Sequence, residues 1–172
     1  MSFSIQGKTA IITGAATGIG HAIARHFVDE GANVVFSDHN EKRLKSGCDD
    51  LADLENCRLF VGDLREKLAV ANLLSTAIDA FDRVDILINA TRSFGVTDFL
   101  DPTDTSVETL LDQNLSVALR TSQAVARRMI LQAEQEDEKP ASAGAISIST
   151  GTSTWARPDS FWLVRATISS RA

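Results

Sequence analysis

From Lys8 to Ser149, short β-branched apolar runs alternate with longer segments whose apolar residues recur every three or four positions. This alternation admits few folds, because helices that return the chain to the start of the next strand leave the strands parallel. Five runs read as strands: residues 8–13, 33–37, 57–61, 84–88 and 145–149. Between them, Ile19, Ile23 and Phe27 mark a first helix stopped by Gly31, and Leu44, Leu51 and Leu54 mark a polar second helix over 41–54. Asp63 with Glu66 resembles a capping box that opens a helix through Leu68, Leu74, Ile78 and Phe81. The longest helical pattern, 105–132, offers a wide face for burial: Val107, Leu110, Leu111, Leu115, Val117, Ala118, Thr121, Val125 and Met129.

A chain of 172 residues with 44% apolar content suits one folded domain and excludes a disordered or low-complexity class. We assign it to residues 1–150. The 17 basic and 23 acidic side chains leave a net charge of −6, which argues against a nucleic acid partner. No apolar run approaches the roughly 20 residues that span a bilayer, so no membrane partner is expected. The segment from Met1 to Gly7 lacks the basic and apolar regions of a signal peptide, so the expected location is cytoplasmic. Cys48 and Cys57 read as reduced, half-buried thiols, and His21, His26 and His39 have neither the spacing nor the partners of a zinc site. Residues 151–172 form an atypical tail: it has no Lys or Glu, it holds both tryptophans, and Phe161 to Val164 could open a short helix. The sequence contains no tyrosine.

Thr13-Gly14-Ala15-Ala16-Thr17-Gly18-Ile19-Gly20 joins the first strand to the first helix. Gly14 permits a sharp turn, Gly18 a close approach of phosphate to backbone, and Gly20 tight packing of helix on sheet. The free N–H groups and dipole at the helix start favour an anion. A strand before the glycines and a helix after them is the context that gives such a turn its meaning. Asp38, ending the second strand, can accept hydrogen bonds from both hydroxyls of an adenosine ribose and would repel a 2′-phosphate. Without Lys or Arg at Ala15, Ala16 or Thr17, the expected cofactor is NAD rather than NADP. The bland alternatives are a ligand-free turn and a solvated aspartate beside His39 and Asn40.

These residues resemble the short-chain dehydrogenase/reductase family, from Gly7 to about Thr150. Thr13-Gly14-x-x-x-Gly18-Ile19-Gly20 is similar to the family's cofactor motif, so Gly14, Thr17, Gly18, Ile19 and Gly20 are expected to bind the dinucleotide with Asp38. The resemblance implies that Asp63 bonds adenine, with helix capping as the other reading. It implies that Asn89, at the end of strand four, also binds the cofactor. Where the family has Asn-Asn-Ala-Gly, this chain has Asn89-Ala90-Thr91-Arg92. Asn114 resembles the family's active-site Asn, which orders a water in the proton path; a structural Asn bonded to a neighbouring strand is the alternative. Ser149, or Thr150 one register on, resembles the substrate-orienting serine.

The family's Tyr-x-x-x-Lys centre is absent. Its nearest spacing match is Phe161-x-x-x-Arg165, which has no hydroxyl and no group able to shuttle a proton. With the shift in composition after Thr150, the chain reads as a shortened or frame-altered product. The resemblance implies an α/β fold: a doubly wound parallel sheet (Rossmann-like) of strand order 3-2-1-4-5. Its ligand would lie where the order reverses. The leading expectation is an NAD-dependent oxidoreductase acting on an alcohol or ketone, impaired in this chain by the missing proton donor. The alternatives are an NAD-binding module or sensor without turnover, and a remnant interaction protein. An open edge at strand five, with Trp155, Phe161, Trp162 and Leu163 to pack there, suggests a homo-oligomer.

Overall fold

A computed structural model describes residues 4–51, 53–96, 100, 105–135, 144–148 and 162–166, with backbone alone at 148 and 162–166. In chain order the elements are β1 (Thr9–Thr13), α1 (Gly18–Asp29), β2 (Asn33–Asp38), α2 (Glu41–Gly47) and β3 (Cys57–Val61). They continue with α3 (Lys67–Phe81), β4 (Ile86–Asn89), α4 (Ser106–Leu111), α5 (Val117–Gln135), β5 (Gly144–Ile148) and β6 (Trp162–Ala166). The sheet has order β3-β2-β1-β4-β5-β6. Strands β1 to β5 are parallel, in the 3-2-1-4-5 order expected, and β6 runs antiparallel on the edge of β5 with Ile148 opposite Trp162.

Alternate residues of the central strands feed two cores. Ala10, Ile12, Val34 and Phe36 pack with Ala24 and Val28 of α1 and Leu44 of α2. Ile11, Val35 and Leu87 pack on the other face with Val70, Leu73 and Ala77 of α3 and Val125 and Met129 of α5. All five residues of β1 are buried, as a central strand with helices on both faces requires. Because all five parallel strands point the same way, Thr13, Asp38, Val61, Asn89 and Ile148 end along one rim. β1 and β4 adjoin there although the chain departs from them in opposite directions, and a crevice forms at this reversal.

Several expectations change. The residues from Trp162 form a strand, not the start of a helix, because the edge of β5 offers unpaired backbone groups that an extended segment satisfies. The edge expected to be open therefore carries β6. Asp63 does not cap α3, which begins at Lys67 after Glu66; its carboxylate instead accepts from the N–H of Arg65, 3.0 Å away. The second helix stops at Gly47, and a single 3₁₀ turn follows at Asp49–Leu51. The long helix is broken into α4 and α5 by a π-turn at Asp112–Ser116. Its early apolar residues do not form the wide buried face: Val107, Leu111 and Leu115 are exposed, and burial begins at Val117. Both cysteines are buried, not half-buried.

Candidate functional site

The glycine turn is built by two kinds of constraint. Gly14 has φ +67°, and a Cβ there would meet Ala90 O and Thr91 N at 2.8 Å. Gly20 has no such φ, but its Cβ would stand 2.4 Å from Gly14 O. The turn, the start of α1 and the loop after β4 thus touch backbone to backbone. The N–H of Ala15 donates to Ser37 O at 3.1 Å, the N–H of Ala16 to Asp38 Oδ2 at 3.3 Å, and the His21 ring to Ala15 O at 3.0 Å. Asp38 therefore fastens the turn to the end of β2.

At the start of α1 the cap residue Thr17 makes no side-chain bond, and the first turn holds no acidic residue. Among the described residues, the Thr17 side chain leaves the helix-start N–H groups uncapped, which is the condition for taking an external anion. The Asp38 carboxylate, 12% exposed, also accepts from the N–H of Asn40 at 2.9 Å and lies 3.3 Å from His39 Nδ1. A carboxylate has about four lone-pair sites, so acceptor capacity remains for a hydroxyl.

Gly14 and Asp38 line a cleft of ≈ 190 Å³ together with Asp63, Arg65, Thr91, Arg92 and Ser93. Asp63 is paired with Arg65: its carboxylate takes the guanidinium Nε at 3.0 and 2.9 Å, and this hydrogen bond holds it below the usual carboxylate range. A second cleft of ≈ 490 Å³ adjoins it, lined by Asn89, Arg92, Asn114, Leu119 and Ser122 among others.

Asn89 is buried and points away from the turn, into α5. Its Oδ1 accepts from Thr121 Oγ1 at 2.7 Å and its Nδ2 donates to Ser122 Oγ at 3.1 Å. Asn114 lies within the π-turn. Its Oδ1 accepts the N–H of Ser93 at 2.7 Å, and its Nδ2 donates to Ser93 O at 2.8 Å and Leu110 O at 2.9 Å. Asn114 thus clamps the loop after β4 by both backbone groups of one residue. Ser149 lies outside the described residues, as do Thr150 and Phe161; Arg165 lies in β6, on a strand rather than the helix that its spacing from Phe161 suggests.

The smaller cleft gathers Gly14, Asp38 and Asp63, and the larger one Asn89 and Asn114; Thr17, Gly18, Ile19 and Gly20, at the start of α1, line neither. Sequence reasoning did not single out Arg65, Thr91, Ser93 or Gln113, which also line the smaller cleft. The available signal was small: a hydroxyl at Thr91, which donates to Thr13 Oγ1 at 2.9 Å, and an arginine two residues beyond Asp63.

An open α/β sheet with a glycine turn and a carboxylate at its switch point defines a nucleotide-binding class of protein. Residues 8–149 match the short chain dehydrogenase family, and the chain belongs to that family. It is 36% identical over 126 residues to "(5R,7aS)-5-hydroxy-7a-methyl-1-oxo-2,3,5,6,7,7a-hexahydro-1H-indene-carboxyl-CoA reductase" of Mycobacterium tuberculosis, covering 72% of this chain and 48% of that protein. It is 32% identical over 126 residues to sorbitol dehydrogenase of Cereibacter sphaeroides, covering 73% and 48%. Among solved structures, a short chain dehydrogenase from Mycobacterium smegmatis superposes with a TM-score of 0.67 at 35% identity, covering 73% of this chain and 54% of the other. The chain spans about half the length of these relatives.

Proposed function

We propose that this chain binds NAD at the rim of its sheet and belongs to an oxidoreductase acting on an alcohol/ketone pair. The observation that carries the reading is the uncapped start of α1 beside a carboxylate at the end of β2. The N–H groups of Gly18, Ile19 and Gly20 would hold the diphosphate, with the Thr17 hydroxyl beside them. Gly14 lets the turn lie against the loop after β4. Asp38 would take the adenosine ribose hydroxyls, and Asp63 would face adenine. Asn89 supports the site from behind by tying β4 to α5. Once bound, NAD supplies the hydride chemistry.

Asn114 is proposed as a positioning residue: it fixes Ser93 and keeps one Oδ1 lone pair with which to order a water. Ser149 would orient the substrate at the end of β5. The carboxylate of Asp38 disfavours a second phosphate on the ribose, which selects NAD over NADP. With no tyrosine among these 172 residues, turnover by this chain is expected to be about 10²–10⁴-fold below that of a chain with its general acid in place. The same absence favours one other reading, a binding module or sensor without turnover.

Titration with NADH, followed by fluorescence, tests the proposal. We expect saturable binding, weaker for NADPH and weakened about 10–100-fold by Asp38→Ala, as for a lost hydrogen bond to a charged group. No saturation at millimolar NADH would refute it. A panel of alcohols and ketones, read by cofactor absorbance, then separates the enzyme from the sensor.

A further inference from the structure

Arg65 follows Asp63 by two residues in the segment between β3 and α3, and both line the smaller cleft beside Asp38. Three donors of Arg65 converge on this one carboxylate. The backbone N–H reaches Asp63 Oδ1 at 3.0 Å, Nε reaches Oδ1 and Oδ2 at 3.0 and 2.9 Å, and Nη2 reaches Oδ2. A guanidinium is planar, so bonds from both Nε and Nη2 fix the orientation of the carboxylate as well as its position. Of about four acceptor sites on a carboxylate, these donors leave about one for a ligand. The Arg65 and Asp63 side chains are 47% and 38% exposed, so water screens the pair and it adds little to the stability of the fold.

The segment carrying the pair is braced from two sides. The N–H of Gly62 donates to Asp38 O at 3.1 Å, joining it to the end of β2. Arg120 of α5 donates from Nη1 to Arg65 O at 2.7 Å and from Nη2 to Asp112 Oδ1 at 3.2 Å. Asp112 opens the π-turn whose Asn114 clamps Ser93. One turn thus anchors two walls of the smaller cleft, the β3 segment through Arg120 and the β4 loop through Asn114. Bracing an exposed pair does little for stability; its effect is to hold one acceptor in a fixed direction at the cleft.

We propose that Arg65 is a positioning residue for base recognition: it holds the Asp63 carboxylate as an acceptor for the 6-amino group of adenine, and Arg120 anchors it to the π-turn. This inference rests on the reading of Asp63 as facing adenine and adds what makes that carboxylate selective. An ionised carboxylate can only accept hydrogen bonds, so in a fixed place it receives a 6-amino group and repels the lone pairs of a 6-oxo purine. A carboxylate free to swing aside loses the repulsive half of that distinction.

The test compares the full wild-type chain with Arg65→Met, Arg120→Met, Asp63→Asn and the double variant Asp63→Asn with Arg65→Met. The ligands are NADH and reduced nicotinamide hypoxanthine dinucleotide, whose purine carries a 6-oxo group in place of the amine, both followed by nicotinamide fluorescence. We expect wild type to prefer NADH about tenfold. Arg65→Met should weaken NADH about 3–10-fold and leave the hypoxanthine analogue within about twofold. Arg120→Met should narrow the preference about two- to threefold, in the same sense. In the Asp63→Asn chain, Arg65→Met should change NADH affinity by less than about twofold, because the residue through which it acts is gone. The proposal is overturned if Arg65→Met weakens both dinucleotides equally, if it moves neither, or if its loss persists in the Asp63→Asn chain. An unchanged preference in Arg120→Met overturns the anchor. A wild-type chain that binds both dinucleotides equally overturns the reading of Asp63, and one that binds no NADH overturns the cofactor reading, which keeps those failures distinct from one at Arg65.

Discussion

The three glycines of the turn are glycine for different physical reasons, and that difference can be measured as a ladder of stabilities. Gly18 has φ +65° with open space around its missing Cβ, so Gly18→Ala pays only for the left-handed backbone, about 1–2 kcal/mol. Gly20 has an ordinary backbone, but a methyl there meets Gly14 O at 2.4 Å. Overpacking against backbone costs about 1–3 kcal/mol, offset by about 1 kcal/mol from alanine's better helix propensity. Gly14 combines both penalties, φ +67° and contact with Ala90 and Thr91 at 2.8 Å, so Gly14→Ala is expected to cost about 2–5 kcal/mol. Urea unfolding followed by circular dichroism would rank them, and each 1 kcal/mol should lower Tm by about 2–4 °C in a chain of this size. A Gly18→Ala chain as unstable as Gly14→Ala would refute the reasoning, because the steric term would then be irrelevant. A neutral Gly14→Ala would refute the contact between turn and β4 loop.

Asn114→Ala removes three hydrogen bonds and should cost about 1–3 kcal/mol, with faster amide hydrogen exchange at Ser93 as its local signature. Arg65→Gln should return Asp63 toward the ordinary carboxylate range in an NMR titration. Asp63 is depressed in the folded chain, so its small contribution to stability is present above the ordinary carboxylate pKa and fades as pH falls through the folded value. Cys48 and Cys57 are pushed up to about 11 by burial, so native chains should label slowly with a disulfide reagent at pH 8 and quickly in urea. Because the folded values are raised above the ordinary 9.0, stability should hold below about pH 9 and fall between pH 9 and 11 as the unfolded thiols ionise first.

The parallel sheet was legible because a strand buried on both faces has no polar side, so β1 reads as a continuous run ending at a glycine. Asp38 was legible for a related reason: a carboxylate directly after such a run has left the core for the rim. The helices carried less information about burial. Apolar residues at 107, 111 and 115 have helical spacing, yet they are exposed, since spacing records a shared face and not what covers it. The π-turn around Asn114 leaves no trace in the sequence, because one extra residue in a turn alters no composition. Asp63 was mistaken for a cap because Glu66 follows at capping distance; the competing partner, Arg65, sits between them and wins with a charge-assisted bond. β6 was missed because its conformation is set by the unpaired edge of β5, a demand from elsewhere in the fold.

The order of these contacts along the chain separates binding from chemistry. Every group proposed to hold the dinucleotide lies between Gly14 and Asp63, in the turn after β1, at the start of α1, at the end of β2 or just after β3. Thr121 and Ser122 of α5 support this region through Asn89. Asn114 reaches this region by clamping Ser93, so the residue proposed for the proton path also fixes the loop after β4 that lies against Gly14. The two functions therefore share one mechanical element. Loosening that clamp should weaken dinucleotide binding even in a chain that turns nothing over. Asn114→Ala measured by NADH affinity alone reads this coupling: a several-fold loss is expected, and an affinity equal to wild type would show that the loop stays in place without the clamp.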